Sequence, residues 1–124
     1  PIRPLPQERK DRIFQQFLIS LHRNFRVHRE VAFYAGQQCL TPRYFSTVVR
    51  EKTGRSALRW ITATVVAEAK KMLSDPALSV KEIADALGFP NQSFFGRYFR
   101  QYTGISPTEF RSGGPKRGSE AVSA

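Results

Sequence analysis

Apolar residues recur along this chain with the three-to-four-residue spacing that places them on one face of a helix. One long apolar stripe lies between Glu8 and Phe25, and another follows Ser56. No two segments show the alternating pattern that a pair of strands would require. The pattern therefore predicts an all-α protein of about seven helices.

Residues that start or stop helices divide the pattern into segments. Thr41 followed by Pro42 is typical of an N-cap and a first-turn proline, and the helix that begins there should end at Gly54. Ser79 and Ser106 each precede a glutamate by three residues, which is the spacing of a capping box. The remaining predicted boundaries are a start near Arg29, a helix from Ser56 to Ser74, and a helix from Asn91 to Gly104.

The chain contains an internal repeat, in which each copy is a short helix, a tight turn and a longer helix. Residues 34–60 and 83–110 follow this plan, with Ala35 or Ala84 where the two helices would cross. Such a unit is a helix-turn-helix. The predicted domains are a linker at 1–7, a first helix-turn-helix subdomain at 8–55, a linker helix at 56–74, a second subdomain at 75–111 and a flexible, Gly-rich tail at 112–124.

The charge of the chain narrows the choice of partner. Twenty basic and ten acidic residues give a formal charge of +10 and a pI near 10.5. A small domain so basic is expected to bind a polyanion, either nucleic acid or an anionic membrane surface. A membrane-surface helix would expose an apolar face, whereas here the predicted core uses the apolar faces. Nucleic acid is therefore favoured, and the two helix-turn-helix copies indicate duplex DNA; the alternative is that the charge serves only solubility.

No catalytic chemistry is predicted, and neither a metal nor a cofactor is expected. His22 and His28 have no cysteine or carboxylate partners at metal-ligand spacing, and no catalytic triad or phosphate-binding glycine loop is present. The single cysteine, Cys39, excludes an internal disulfide and is typical of a reducing, cytoplasmic compartment. It is expected to be a small buried hydrophobe.

The longer helix of the second copy separates into two faces on a helical wheel. The residues expected in the core are Phe94, Phe95, Tyr98, Phe99 and Tyr102. On the opposite strip, Gly96 costs about 0.5–1 kcal/mol relative to alanine, so either a closely approaching partner offsets it or it is a tolerated surface glycine. Arg97 can donate two hydrogen bonds to guanine. The predicted base-reading residues are Gln92, Ser93, Gly96 and Arg97.

The longer helix of the first copy repeats this arrangement. The residues expected to face inward are Tyr44, Phe45, Val48 and Val49. Arg43 is expected to read bases, and Ser46 and Thr47 to contact either a base or a phosphate. The predicted phosphate contacts are Arg50 and Arg100 together with the helix-start residues Thr41, Ser79, Asn91 and Ser106. No Asp or Glu lies between Glu30 and Glu51 or between Asp85 and Glu109, so neither surface should repel phosphate.

The second copy resembles the AraC/XylS family of bacterial transcription regulators. The segment "LSVKEIADALGFPNQSFFGRYFRQYTGISPTEFR", residues 78–111, closely follows the family's second-motif signature, and "CLTPRYFSTVVREKTGRSALRWI", residues 39–61, resembles the first motif. The resemblance implies a seven-helix domain with two recognition helices in successive major-groove segments. It also assigns the family's base-facing positions to the same seven residues that the helical wheels select.

In most members of the family a domain that senses a small molecule or dimerises precedes this one, and the proline-rich start is expected to be a linker from it; a smaller group consists of the DNA-binding domain alone. Activation is the family's commoner habit. The predicted function is sequence-specific double-stranded DNA binding by a bacterial, cytoplasmic transcription activator, dimeric through the preceding domain. The alternative is a basic helical module that contacts RNA polymerase or another acidic protein. Salt dependence combined with sequence preference on duplex DNA discriminates between the two.

Overall fold

The computed structural model describes residues 6–113, and this part of the chain forms helices and turns without any strand. Its seven helices are α1 (Pro6–Asn24), α2 (Val31–Gln37), α3 (Pro42–Thr53), α4 (Ala57–Leu73), α5 (Val80–Ala86), α6 (Gln92–Thr103) and α7 (Pro107–Arg111). The predicted all-α class is thereby confirmed. Helix α1 begins two residues before the predicted start, within the predicted linker. Residues 1–5 of that linker and 114–124 of the predicted tail lie outside the described residues.

The predicted caps form at the starts of α5 and α7. In each, the serine hydroxyl accepts a hydrogen bond from the glutamate N–H three residues on, and the glutamate carboxylate accepts one from the serine N–H. These two capping boxes satisfy N–H groups that a helix start otherwise leaves without partners. Such caps contribute a larger share of the stability of short helices such as α5 and α7, because these helices contain few internal hydrogen bonds.

The turn inside each helix-turn-helix has the same geometry. In the first, the Leu40 N–H donates to the Ala35 carbonyl at 3.0 Å, and Cys39 between them has a left-handed φ of 58°. In the second, the equivalent bond measures 2.9 Å and Gly88 has a φ of 78°. This is the Schellman end of a helix. The expectation that Cys39 is buried was wrong: it is exposed, because it lies in the turn and not on a packed helix face.

The ends of the two longer helices are also duplicated. The Thr53 hydroxyl donates to the Val49 carbonyl at 2.8 Å, and the Thr103 hydroxyl donates to the Phe99 carbonyl at the same distance. A glycine in the left-handed region follows each threonine and ends the helix. The two copies therefore share their turns and helix ends as well as their sequence pattern.

The described residues divide into two compact units, one up to Thr64 and one from Val65, with the division inside α4. In the first unit, Phe17 of α1 is fully buried. Its ring meets those of Tyr34 on α2 and Phe45 on α3, with centroids 5.5 and 5.1 Å apart and edge-to-face geometry. One phenylalanine of α1 thus joins both helices of the first helix-turn-helix.

The core of the second unit is built from a different set of rings. Phe89, in the turn before α6, is buried and lies 5.2 Å from the ring of Phe95. Phe99 meets Phe110 of α7 edge to face at 5.7 Å. The small Ala84 is fully buried, as expected for the residue at which α5 crosses α6. Here one ring from the turn and one from α7, and none from a long preceding helix, are the rings described as contacting α6.

Arg111 connects α7 to the segment between α4 and α5. Its Nε donates to the Leu73 carbonyl at 3.0 Å, and its Nη2 donates to the carbonyls of Leu78 at 2.6 Å and Asp75 at 3.2 Å. Leu73 is the last residue of α4, whose terminal carbonyls have no partner within the helix. One guanidinium therefore supplies donors for a helix end and the turn that follows it.

The buried face of each longer helix is narrower than predicted. Phe95 and Phe99 are fully buried, but Phe94 is 43% exposed and Tyr102 is 44% exposed. In the first copy, Tyr44 is 41% exposed. The prediction that these three rings face the core was wrong. Successive residues of a helix point about 100° apart, so a residue next to a buried one can lie outside the packed arc.

Candidate nucleic-acid interface

Helix α6 has a polar strip on the side away from its core, which we call the α6 strip. Its members are Gln92, Ser93, Gly96, Arg97 and Arg100. All of them are exposed except Gly96, which is half-buried. The strip is therefore open to an outside partner along the first nine residues of the helix, and the base-reading role of its residues stays a prediction.

Gly96 has no packing reason to be a glycine. A Cβ built at this position would meet no atom within 4 Å, and its backbone does not have a left-handed φ. The glycine nevertheless costs about 0.5–1 kcal/mol in a helix interior relative to alanine. A partner that approaches the backbone of α6 closely would offset that cost.

We expect Gly96→Ala to have opposite effects on folding and on binding. It should raise the free energy of unfolding by about 0.5–1 kcal/mol, because alanine is the better helix former. It should weaken duplex binding by about 1–3 kcal/mol, because the added methyl group would overpack the contact. Denaturant unfolding and duplex titration measure the two effects, with Gln101→Ala on the same helix as the control. Unchanged binding would make Gly96 a tolerated surface glycine.

Arg97 lies beside an exposed aromatic ring. Its Cζ is 5.6 Å from the centroid of the Phe94 ring, three residues earlier on the same helix. A guanidinium over a ring face is attracted by the ring's quadrupole, so the ring restricts where Arg97 can point. Both side chains are exposed. They form an adjacent pair at the surface of α6.

Helix α3 has the equivalent strip, which we call the α3 strip. Its members are Arg43, Ser46, Thr47 and Arg50, all exposed except the half-buried Ser46. Glu51 lies one turn beyond Thr47, and Lys10 of α1 pairs with its carboxylate at 2.7 Å. The hydrogen bond to Glu51, together with the charge of that carboxylate, raises the pKa of Lys10. Helix α1 thus pairs a basic side chain with Glu51, the residue that follows Arg50 of the α3 strip.

The sequence reasoning missed this contribution of α1. Lys10 and Glu51 are 41 positions apart, and so are Asp11 and Lys52, which form a second ion pair between the same helices. No local pattern links such distant residues. The one available signal was the reversed order of charges, basic then acidic in α1 and acidic then basic in α3.

The predicted phosphate contacts fall into two groups. Arg50 and Arg100 are exposed on the two strips. The other four cap their own helices, each through a side-chain oxygen that accepts a backbone N–H; they are Thr41, Ser79, Asn91 and Ser106. Capping uses only an acceptor, so the hydroxyl or amide hydrogens of these side chains can still donate to a phosphate. The phosphate role of all six stays a prediction.

Glu109 is the acidic side chain closest in sequence after the α6 strip. The hydrogen bond that the Ser106 N–H donates to its carboxylate lowers the pKa of Glu109, and the charge of Arg100 lowers it further. This carboxylate is therefore engaged at the start of α7 as part of the capping box.

Residues 6–113 contain neither a metal site nor a membrane-spanning helix. Within residues 6–113, no three His, Cys, Asp or Glu side chains are grouped closely enough to hold a metal ion. No helix of that part of the chain is both long and apolar enough to cross a membrane.

Two helix-turn-helix motifs, each with an exposed polar and basic strip on its longer helix, place this chain in the helix-turn-helix class of DNA-binding regulators. A family model described as a helix-turn-helix domain matches residues 34–113. The arabinose operon regulatory protein of Salmonella typhimurium is 35% identical over 86 residues, which are 69% of this chain and 31% of that protein. The chain belongs to the AraC/XylS family of transcription regulators.

Solved structures share the fold. The C-terminal domain of AraT, a response regulator from Geobacillus stearothermophilus, aligns with a TM-score of 0.74 and 22% identity over 90% of this chain and 88% of that one. The DNA-binding domain of AdpA, solved with a target DNA, aligns with a TM-score of 0.69 and 24% identity over 86% of this chain and 94% of that one. The family membership confirms the prediction that the chain is a regulator and not an enzyme. The chain spans about a third of the length of the arabinose operon regulatory proteins to which it is similar.

Proposed function

We propose that this chain binds double-stranded DNA sequence-specifically, with α3 and α6 as its two recognition helices. The observation that carries the proposal is the repetition of one surface. In each copy, the longer helix buries the phenylalanine at its fourth position, Phe45 or Phe95, and leaves a polar and basic strip exposed. The solved complex of the AdpA domain with a target DNA supports duplex DNA as the ligand of this fold.

Each residue of the α6 strip has a distinct role in this proposal. Arg97 reads a guanine through two parallel hydrogen bonds to O6 and N7. Gln92, the first residue of α6, reads an adenine through N6 and N7. Ser93 contacts a base edge, and Gly96 allows the helix backbone to approach closely. These residues lie in the first half of α6, the part of a recognition helix that contacts bases in helix-turn-helix proteins.

The α3 strip performs the same task with a different set of side chains. Arg43, in the first turn of α3, is the principal base reader. Ser46 and Thr47 make supporting contacts to bases. Arg50, like Arg100 on α6, neutralises a phosphate, and the capping side chains donate to phosphate oxygens.

The family resemblance supports placing α3 and α6 in successive major-groove segments. In B-DNA, such segments recur about every 34 Å. The binding site should accordingly contain two separated half-motifs. Contact with RNA polymerase, activation of transcription and dimerisation through a preceding domain are expectations that rest on the resemblance alone.

Selection from a random duplex library with the 124-residue chain tests the proposal, and the same selection with Arg97→Ala tests the role of Arg97. We expect two half-motifs with the unaltered chain. Arg97→Ala should reduce affinity by about 1–3 kcal/mol and relax the preference at one base pair, because one bidentate contact is lost.

Arg100→Ala is the matched control for Arg97→Ala, since both arginines are exposed on the same helix. Loss of a phosphate contact should lower the affinity for all duplex sequences equally and leave the selected motif unchanged. A motif unaltered by Arg97→Ala would refute the assignment of the reading residues. Salt-sensitive binding to every duplex without an enriched sequence would mean that the chain contributes only charge.

A further inference from the structure

We propose that Phe94 is an apolar member of the DNA-reading surface and contacts the 5-methyl group of a thymine next to the base pair that Arg97 reads. This inference rests on the proposed function of α6. It adds to that function one specificity-determining residue and the base that the residue recognises.

The position of Phe94 in α6 is the first argument. It is the third residue of the helix, and 43% of its surface is exposed although the adjacent Phe95 is fully buried. In helix-turn-helix proteins, the first residues of the recognition helix contact the base edges. A large apolar ring at this position would therefore enter the groove together with its polar neighbours.

The internal repeat provides a second, independent observation. Tyr44 occupies the same position in α3, as the third residue of its helix, and is 41% exposed. Both copies thus leave a large aromatic ring outside the core at one equivalent position. The next residue in each copy, Phe45 or Phe95, fills the core position. Phe94 contacts the buried ring of Phe89 at 6.3 Å, and the exposed part of its ring is open to a partner.

The ring of Phe94 lies between Phe89, whose ring centroid is 6.3 Å away, and the guanidinium of Arg97. The guanidinium lies 5.6 Å from the Phe94 ring centroid, so the two side chains lie side by side at the surface. With Arg97 at a guanine, this arrangement brings the ring next to a neighbouring base pair. Apolar contact there is possible with thymine, whose methyl group lies in the major groove.

The electrostatic setting of this ring suits a polyanion such as DNA. Between Asp85 and Glu109 the chain carries no acidic residue, and Arg97 and Arg100 lie on the same helix. The other strongly exposed ring of α6, Tyr102, is near the end of the helix. It is therefore a matched control, with the same exposure but outside the base-reading turns.

The experiment replaces each thymine of the selected duplex, one at a time, by uracil, which lacks the methyl group. Affinity is measured for the unaltered chain, for Phe94→Ala and for Tyr102→Ala. One replacement should weaken binding of the unaltered chain and of Tyr102→Ala by about fourfold, the equivalent of one buried methyl group. The same replacement should leave the affinity of Phe94→Ala unchanged.

Three outcomes would overturn the inference or its basis. If no uracil replacement weakens binding by the unaltered chain, Phe94 makes no thymine contact. If Phe94→Ala relaxes only the guanine preference, the ring merely positions Arg97. If the unaltered chain selects no sequence, the proposed function itself fails. Unfolding curves of each variant, with Phe94→Leu as a conservative substitute that keeps an apolar contact, separate lost contacts from lost folding.

Discussion

Raising the salt concentration from 50 to 200 mM should weaken binding of this chain to its selected duplex by about 10³- to 10⁵-fold, the range for about 6 to 10 phosphate contacts. The physical reason is the release of counterions from the phosphates that basic side chains neutralise. The chain has twenty basic residues, and Arg50 and Arg100 are exposed beside the predicted base readers. Affinity measured by duplex titration at several salt concentrations gives the slope.

Two variants show which side chains determine that slope. Arg50→Ala should weaken binding to all duplex sequences about equally, because one phosphate contact is lost. The slope of log affinity against log salt concentration should become shallower by about one. Phe94→Ala changes no charge, so it should alter affinity for the selected site and leave the slope unchanged. An Arg50→Ala effect that depends on sequence would place Arg50 among the base readers.

The same titration separates DNA binding from the rival interpretation as a basic module for an acidic protein partner. Such a module would bind any duplex through charge, with a steep salt dependence and no sequence preference. A steep slope together with an enriched motif therefore favours the reading of DNA. Salt-sensitive binding to every duplex without an enriched motif would instead favour the protein partner.

Arg111→Ala should lower the free energy of unfolding by roughly 2–4 kcal/mol, an effect large enough to threaten the fold of a marginally stable domain. The substitution removes the donor for the Leu73 carbonyl and for the carbonyls of Asp75 and Leu78. Charged donors form stronger hydrogen bonds than neutral ones, and Leu73 lies in the core. Denaturant unfolding followed by circular dichroism measures the loss.

Arg100→Ala is the control for this substitution, because Arg100 is an exposed arginine of the same unit. It should change stability by no more than about 0.5 kcal/mol. Arg111→Lys should restore only part of the loss, because an ammonium group lacks the planar fork that reaches several carbonyls at once. Equal unfolding midpoints for Arg111→Ala and Arg100→Ala would show that the hydrogen bonds from the Arg111 guanidinium to these carbonyls do not stabilise the fold.

The helix boundaries were predictable because their causes are local. A cap joins residues three apart, as between Ser79 and Glu82, and a helix stop such as Gly54 depends on the conformation of one residue. The duplication made the predicted boundaries more certain, since the same capping and stop residues occur twice in the same order. The number of helices and the strips opposite the buried phenylalanines followed from spacing alone.

The exposure of single rings was not predictable in the same way. Phe94 and Tyr44 fall on the aromatic side of their helices, yet both are exposed. A helical wheel gives the direction of each side chain but not the width of the surface that neighbouring helices cover. That width depends on which helices pack there and how closely, which no periodicity records.

The sequence by itself determined the helices, their caps, the two helix-turn-helix copies and a basic surface suited to a polyanion, because each depends on neighbouring residues or on composition. Only the tertiary structure decided that Phe94 lies beside Arg97 at the surface, that Lys10 pairs with Glu51, and that Arg111 binds the end of α4. Lys10 and Glu51 meet because helices from distant parts of the chain pack together, as do α7 and the end of α4. The exposure of Phe94 depends on how much of α6 its neighbours leave uncovered.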